Sequence, residues 1–159
     1  MAHDNFQRMM RLAEEFFATK DDPAQISVTE EVMEKLRQIH PATMSEEANE
    51  NGPIAWILLL PTTDLLMHRF LRREITEREL LEATPPGAAY DCLYLCSALV
   101  LPEFRRKGLA KEVICRAIQS IRKDHTIRAL FVWTFSEEGD ALARTVAQAV
   151  DLPLYGRES

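Results

Sequence analysis

The sequence predicts an α/β fold whose second half has a largely parallel core, and three observations indicate it. From Asp91 onward the pattern alternates strand, helix, strand, helix and a short last strand, which is the order of βαβ units. Residues 54–60 form a continuous apolar run, as in a strand that is covered on both faces. Residues 93–101 form a second such run, which Pro102 ends just before a long amphipathic helix. With 159 residues and a hydrophobic share of 47%, the chain 1–159 is most simply one domain with one core.

Two helices are predicted at the start of the chain. Apolar side chains recur at helical spacing over residues 5–19, and Asp21-Asp22-Pro23 ends this helix. A second helix is predicted to begin at Thr29 and to end at Pro41. The apolar face of the first helix packs either against the core or against a second copy of the chain, which leaves a homodimer open. Its members include Met9, Met10, Phe16 and Phe17.

The middle of the chain is predicted to hold one buried strand and two short helices. Residues 45–52 are acidic and rich in turn-forming residues, which predicts a surface loop. The buried strand follows at residues 54–60 and is predicted to end at Pro61. Two helical segments come next, one beginning at Thr63 and one covering residues 76–81.

The second half of the chain supplies the alternating elements. A helix is predicted over residues 106–124, a strand over 129–135, a helix over 138–150 and a short strand over 152–155. The apolar positions of the first of these helices recur every three to four residues and predict its buried face. That face consists of Leu109, Val113, Ile114, Ala117, Ile118 and Ile121.

The loop between residues 93–101 and the next helix has the composition of an anion site. The first N–H groups of a helix have no partner within it, and the helix dipole places partial positive charge there. Gly108 and Ala110 leave the backbone uncovered, so phosphate oxygens can reach these amides. Three full positive charges add to them, from Arg105, Arg106 and Lys107.

Two common phosphate-binding loops do not fit this segment. A P-loop requires a glycine five residues before Gly108, where Glu103 stands. The Rossmann fingerprint requires three spaced glycines, and only Gly108 is present. An ordinary strand–loop–helix turn with a basic surface loop is the alternative that remains open.

The segment Arg105-Arg106-Lys107-Gly108-Leu109-Ala110 resembles motif A of the GNAT-type N-acetyltransferase superfamily, whose pattern is Gln/Arg-x-x-Gly-x-Gly/Ala. The preceding Val100-Leu101-Pro102-Glu103-Phe104 is similar to the Val-x-Pro-Glu-Tyr that often leads into the motif. The resemblance covers about the second half of the chain and implies a GNAT-like fold of three layers, α/β/α, with a mixed central sheet. The chain departs from the family pattern in a helical N-terminal extension and a shortened C-terminus.

The resemblance implies acetyl-CoA as the cofactor. Its pyrophosphate would bind the backbone amides of residues 106–111, and the end of the motif strand would pair with the pantetheine arm. The acyl carbonyl would accept hydrogen bonds from the N–H groups of Leu99 and Val100 as negative charge develops on it. The implied cofactor-binding residues are Leu99, Val100, Arg105, Arg106, Lys107, Gly108, Leu109, Ala110 and Lys111.

The acid and the base of the reaction are harder to assign. In many relatives a tyrosine on the helix after the next strand protonates the leaving thiolate. Residues 138–150 contain no tyrosine, and Thr145 stands near that place. Tyr155 is the nearest substitute in the sequence. A glutamate on the motif strand serves as base in some relatives, and Tyr94 occupies the matching position here, where a core aromatic is the alternative. Tyr94 and Tyr155 are therefore the candidate catalytic residues.

These features favour an acetyl-CoA-dependent N-acetyltransferase that acts on a primary amine of a small molecule or a protein, without identifying the acceptor. A non-catalytic CoA-binding module, serving as a sensor or structural partner, is the alternative that the missing tyrosine supports. A small α/β interaction domain that binds no nucleotide is a third possibility.

Composition and spacing argue against several other classes. The net charge of −6 argues against a general nucleic-acid binder. The four histidines show no metal-ligand spacing, so no metal site is expected. The cysteines Cys92, Cys96 and Cys115 form no Cys-x-x-Cys pair and are expected to be buried, reduced thiols. No run is long enough to span a membrane and no signal-peptide pattern is present, so a cytoplasmic location is expected.

Overall fold

The computed structural model describes residues 2–19, 29–134 and 136–157. The predicted helix end at Asp21-Asp22-Pro23, the end of the predicted strand at Phe135, and the side chains of Phe16 and Phe17 lie outside what is described. The elements are α1 (Ala2–Thr19), α2 (Glu30–Ile39), β1 (Met44–Asn49), β2 (Gly52–Thr62), α3 (Asp64–Leu71), α4 (Glu77–Ala83), β3 (Cys92–Val100), α5 (Leu109–Asp124), β4 (Ala129–Val132), α6 (Glu137–Val150) and β5 (Leu154–Gly156).

The five strands form one mixed sheet in the order β1-β2-β3-β4-β5. The first two neighbouring pairs are antiparallel, and the last two are parallel. The parallel part is the βαβ segment that the alternating pattern predicted, with α5 and α6 as its crossover helices. The sheet as a whole is mixed, as the GNAT resemblance implied.

Most of the segment predicted as an acidic surface loop, residues 45–52, belongs to the edge strand β1, and residues 50–51 form the turn after it. Met44 pairs with Leu58 and Asn49 pairs with Gly52 in an antiparallel hairpin with β2. Asn49 Oδ1 accepts a hydrogen bond from the N–H of Asn51 at 2.8 Å, and Gly52 has a φ of 114°. No residue of the strand is fully buried, and charged side chains are common on such edges. Its acidic composition reflects its place at the edge and not a loop conformation.

The strand β2 does not end at Pro61, as the sequence predicted, but continues to Thr62. Pro61 pairs with Leu93 of β3, while on the other side β1 reaches only as far as Leu58. A proline beside that open edge removes no ladder hydrogen bond, so the strand tolerates it.

Helices cover both faces of the sheet, which confirms the predicted α/β/α layering. On one face of the sheet, α2, α3 and α4 pack against β2, β3 and β4. On the other face, α5 and α6 pack against the same three strands. The fully buried Met9 of α1 packs with Ile54, Leu99 and Leu101 at one end of the first face. The buried face predicted for α5 is confirmed, except that Leu109 is only half-buried.

The cysteines differ in their surroundings. Cys92 is buried, and burial, followed by the charges of Asp91 and Asp64, raises the pKa of its thiol to about 12. Cys96 and Cys115 are only half-buried, so the prediction of three buried thiols holds for Cys92 alone.

Candidate cofactor site

The sheet opens between β3 and β4. The two strands pair from Cys92 opposite Ala129 to Leu95 opposite Val132, where β4 ends. β3 continues to Val100, so its last part has no strand partner on that side among the described residues. Backbone N–H and C=O groups along this open edge are able to pair with an extended ligand, as with an added strand.

A β-bulge lies where the opening begins. Leu58 pairs with Ser97 and Leu59 pairs with Leu95, so Cys96 is the extra residue of β3. A bulge bends its strand and increases the local twist, and bulges are common beside active sites. The bend accounts for the departure of β3 from β4 at this point.

The register decides which amides face the opening. Leu101 donates its N–H to the carbonyl of Ile54 in β2 at 3.0 Å. Since N–H groups alternate in direction along a strand, Leu99 also faces β2, whereas Ala98 and Val100 face the open edge. The carbonyl of Val100, on that open side, accepts a hydrogen bond from Arg105 Nε at 2.9 Å.

The loop after β3 contains two residues with positive φ. A short 3₁₀ turn at Pro102–Phe104 is followed by Arg106 with φ 63° and Gly108 with φ 76°. A Cβ built on Gly108 would meet no atom within 4 Å. Gly108 is therefore favoured because of its positive φ and not because a side chain would clash with a neighbour. The space above the loop is open.

Helix α5 begins without a side-chain cap. Gly108 is its N-cap residue, and the first backbone hydrogen bond runs from the N–H of Glu112 to the carbonyl of Gly108 at 3.0 Å. The amides of residues 109–111 thus have no partner within the helix. By contrast, a side-chain oxygen accepts a hydrogen bond from the first turn of α2, α3, α4 and α6; these caps are Thr29, Thr63, Thr76 and Ser136.

Most of the chain matches a known family. The profile that describes the acetyltransferase (GNAT) family matches residues 6–144. The chain belongs to the GNAT family. No curated protein and no solved structure matches it.

The extent of the family match changes one expectation from the sequence. The match begins at Phe6 and therefore includes the first half of the chain, which was expected to depart from the GNAT pattern. That expectation assumed a single strand before the motif, whereas the β1–β2 hairpin supplies the antiparallel pair that is typical of the family. The match ends at residue 144, before β5, and α3 and α4 lie between β2 and β3.

The predicted cofactor residues of this GNAT chain differ in their exposure and lie in two places, the loop and the start of α5. Arg105, Arg106, Lys107 and Gly108 are exposed in the loop, whereas Leu109, Ala110 and Lys111 are half-buried at the start of α5. Arg105 holds the end of β3 through its Nε, so it supports the loop as well as adding charge. Leu99 and Val100 were predicted to donate their N–H groups to the acyl carbonyl. The N–H of Val100 faces the opening, whereas that of Leu99 faces β2, where Leu99 pairs with Trp56.

The structure does not bring the two candidate tyrosines together. Tyr94 is fully buried, and its hydroxyl donates to Glu77 Oε2 at 2.5 Å. Burial, and then the charge of Glu77, raises the pKa of Tyr94 well above its usual value. Tyr155 lies on β5 opposite Phe131 and is 45% exposed. Tyr94 thus occupies the place of a core aromatic, the alternative that the sequence leaves open.

The helix that often carries the acid in GNAT enzymes contributes no evident proton donor here. Thr145 lies on the exposed side of α6, and its hydroxyl donates to the carbonyl of Ala141 at 2.9 Å. A threonine hydroxyl is also a far weaker acid than a phenol, so it does not replace the family tyrosine.

Sequence reasoning missed three residues beside the opening. Glu77 is the first residue of α4, Trp133 follows β4 directly, and Arg157 follows β5. Glu77 lies in the helix predicted over residues 76–81 and Trp133 in the strand predicted over 129–135, so each fits a purely structural role. Sequence reasoning also missed Ala98. The backbone N–H groups of residues two apart in a strand point the same way, so the N–H of Ala98 points with that of Val100, whereas the N–H of Leu99 points the other way.

No helix in the described parts of the chain is long and apolar enough to cross a membrane.

Proposed function

We propose that this protein is an acetyl-CoA-dependent N-acetyltransferase, which transfers the acetyl group to a primary amine of a small molecule or a protein. One observation carries the proposal. The open edge of β3 runs from the bulge at Cys96 to Val100 and leads, through the Gly108 loop, to the uncapped start of α5. An extended thioester arm and a pyrophosphate need these two features in this order.

The residues of the loop would hold the nucleotide end of acetyl-CoA. The free amides at residues 109–111 and the dipole of α5 favour the pyrophosphate. Arg106 and Lys107 are exposed beside them and add positive charge. The pantetheine amides would pair with the open edge of β3, as a peptide strand does.

The chemical step requires stabilisation of a carbonyl oxygen and movement of two protons. The amine nitrogen attacks the carbonyl carbon, the carbon–sulfur bond breaks, and the amine loses a proton as the thiolate of CoA gains one. The N–H groups of Ala98 and Val100 face the opening and are the available donors to the carbonyl oxygen. Alignment of the two reactants supplies a further part of the rate.

Calorimetric titration with CoA tests the cofactor assignment, with two matched glycine variants. Gly108 and Gly87 have φ values of 76° and 78°, and a Cβ at either position meets no atom within 4 Å. Gly108→Val and Gly87→Val therefore impose the same backbone strain, but only Gly108 lies in the loop. We expect Gly108→Val to lose CoA binding while Gly87→Val retains it. Equal CoA affinities in the two variants would show that the phosphates bind at a site other than the Gly108 loop.

A non-catalytic CoA-binding module is the second candidate. The absence of tyrosine from α6, together with the internal hydrogen bond of Thr145, favours it. Release of free thiol from acetyl-CoA in the presence of a panel of amines separates the two. CoA binding without thiol release for any amine would support the module, and amine-dependent release would support the transferase.

A further inference from the structure

Arg157 lies in a corner between two aromatic rings. The Cζ atom of its guanidinium is 4.5 Å from the ring centroid of Phe70 and 4.7 Å from that of Trp133. The two rings are 6.1 Å apart and nearly perpendicular, at 79°. Ring faces at these distances attract cations, so the corner has the chemistry of a cation site.

A buried carboxylate belongs to the same cluster. Glu77 is the one acidic side chain among the buried residues of the described chain, and it accepts the hydroxyl of Tyr94. The ring of Tyr94 meets that of Phe70 edge-on at 5.1 Å. Burial lowers the pKa of Arg157, as does the positive charge of Arg73, whereas the negative charge of Glu77 acts in the opposite direction. The cluster thus adds negative potential to the two aromatic faces.

Arg157 fills the corner without satisfying all its donors. One terminal nitrogen donates to the carbonyl of Ile75 at 2.9 Å. Its Nε is buried and has no hydrogen-bond partner in the described structure, whereas a guanidinium presents five donors. The side chain is half-buried, so the corner extends to the surface and would be open without it. These features suit a replaceable occupant better than a fixed structural arginine.

The corner lies beside the opening of the sheet. Trp133 directly follows Val132, the last residue of β4 that pairs with β3, and the N–H of Arg157 donates to the carbonyl of Val132 at 2.9 Å. Tyr94 precedes Leu95, the last β3 residue of that pairing. Phe70 and Glu77 come from α3 and α4, the helices inserted between β2 and β3.

We propose that the corner formed by Phe70, Trp133, Glu77 and Tyr94 binds the cationic group of the acyl acceptor, an alkylammonium, and that Arg157 occupies it until the acceptor binds. The inference rests on the proposed function, because it supplies the acceptor side of the same reaction. The aromatic faces and the carboxylate favour a charged amine over a neutral alcohol of the same shape. Arg157 is then an internal competitor, and its backbone stays beside β4 when its side chain leaves.

The test is calorimetric titration of the cofactor-free protein with cadaverine, a diamine, and with 1-pentanol as the neutral control. Arg157→Ala removes the competitor, so we expect it to tighten cadaverine binding by about tenfold, which corresponds to an arginine that occupies the corner in about nine molecules of ten. Arg72→Ala, which removes an exposed arginine in the same region, should leave the affinity unchanged. Trp133→Leu and Glu77→Gln should each weaken binding in the Arg157→Ala background.

Thermal unfolding of each variant confirms that it is folded, and Trp133→Leu keeps the test decisive if Glu77→Gln unfolds. Equal cadaverine affinities in Arg157→Ala and Arg72→Ala, or equal binding of pentanol and cadaverine, would overturn the proposal. A peptide with a blocked N-terminus and one lysine separates a protein acceptor from a small amine. CoA binding and thiol release are measured separately, so cadaverine binding without thiol release would leave the site standing and reject the transferase.

Discussion

Arg8 of α1 binds both carboxylate oxygens of Glu103, at 2.7 and 2.5 Å, although the two residues are 95 positions apart in sequence. Glu103 stands at the start of the candidate cofactor loop, two residues before Arg105. The hydrogen bonds from Arg8 lower the pKa of Glu103 to about 2, so its carboxylate is charged at neutral pH. Arg8 therefore offsets a negative charge that would otherwise repel the phosphates of a nucleotide.

Removal of Arg8 should weaken CoA binding, and removal of Glu103 in addition should restore it. We expect Arg8→Ala to lower the affinity about two- to fivefold, the size typical of one exposed ion pair. The double variant Arg8→Ala/Glu103→Gln should return to the wild-type affinity, because no uncompensated carboxylate remains. Calorimetry at low and high salt measures both effects, and the difference should shrink at high salt. Weak binding in the double variant would show that Arg8 acts through the docking of α1 and not through charge.

The substitution Arg106→Gly should act in opposite directions on stability and on binding. Arg106 has a φ of 63°, which costs a non-glycine residue about 1 kcal/mol and glycine almost nothing. We expect the free energy of unfolding in urea to rise by up to about 1 kcal/mol. CoA affinity should fall and become less dependent on salt, since one charge beside the pyrophosphate is lost. Unchanged affinity would remove Arg106 from the nucleotide site.

The substitution Tyr94→Phe should destabilise the fold while leaving CoA binding intact. It removes the hydroxyl that donates to the buried Glu77 carboxylate, and the loss of a hydrogen bond to a charged group costs about 1.5–3 kcal/mol. Urea unfolding measures the loss, and calorimetry with CoA is the control. If the protein is an enzyme, thiol release per folded molecule at saturating amine should change little, because Tyr94 does not serve as the proton donor. A collapse of turnover with normal stability would return Tyr94 to the catalytic residues.

Alkaline pH should destabilise the protein partly through Cys92. Folding raises the pKa of this thiol from 9.0 to about 12, so the folded state keeps a proton that the unfolded state releases. The stability linked to Cys92 is therefore complete below about pH 9 and is lost as the pH rises toward 12. Urea unfolding at several pH values should show a smaller alkaline decline in Cys92→Ala than in the parent. Some decline should remain, because the pKa of Tyr94 is raised as well.

Local patterns predicted the elements whose causes lie nearby in the sequence. Thr76 was placed at a helix start, and its side chain forms a reciprocal capping box with Glu79. The apolar spacing of residues 106–124 predicted which side of α5 is buried. The strand, proline stop and small-residue loop before α5 were likewise readable, because each follows from neighbouring residues.

Features that depend on residues far apart in the sequence could not be predicted from local patterns. β1 is acidic because it lies at a sheet edge, which only its pairing with β2 reveals. The corner around Arg157 joins side chains from α3 and from the residues that directly follow β4 and β5, and no sequence spacing links them. The bulge at Cys96 depends on the register with β2, so the sequence did not show where β3 turns away from β4.

Under the proposed function, the placement of α3 and α4 between β2 and β3 gives the reaction centre two parts that can vary independently. β2 and β3 pair directly with each other on either side of the insertion, from Thr62 opposite Cys92 onward. Sequence changes within residues 63–91 can therefore alter the wall that faces an acceptor while the thioester side keeps its backbone. Selectivity for the amine and affinity for the acyl donor can then diverge between related chains without either change disturbing the other.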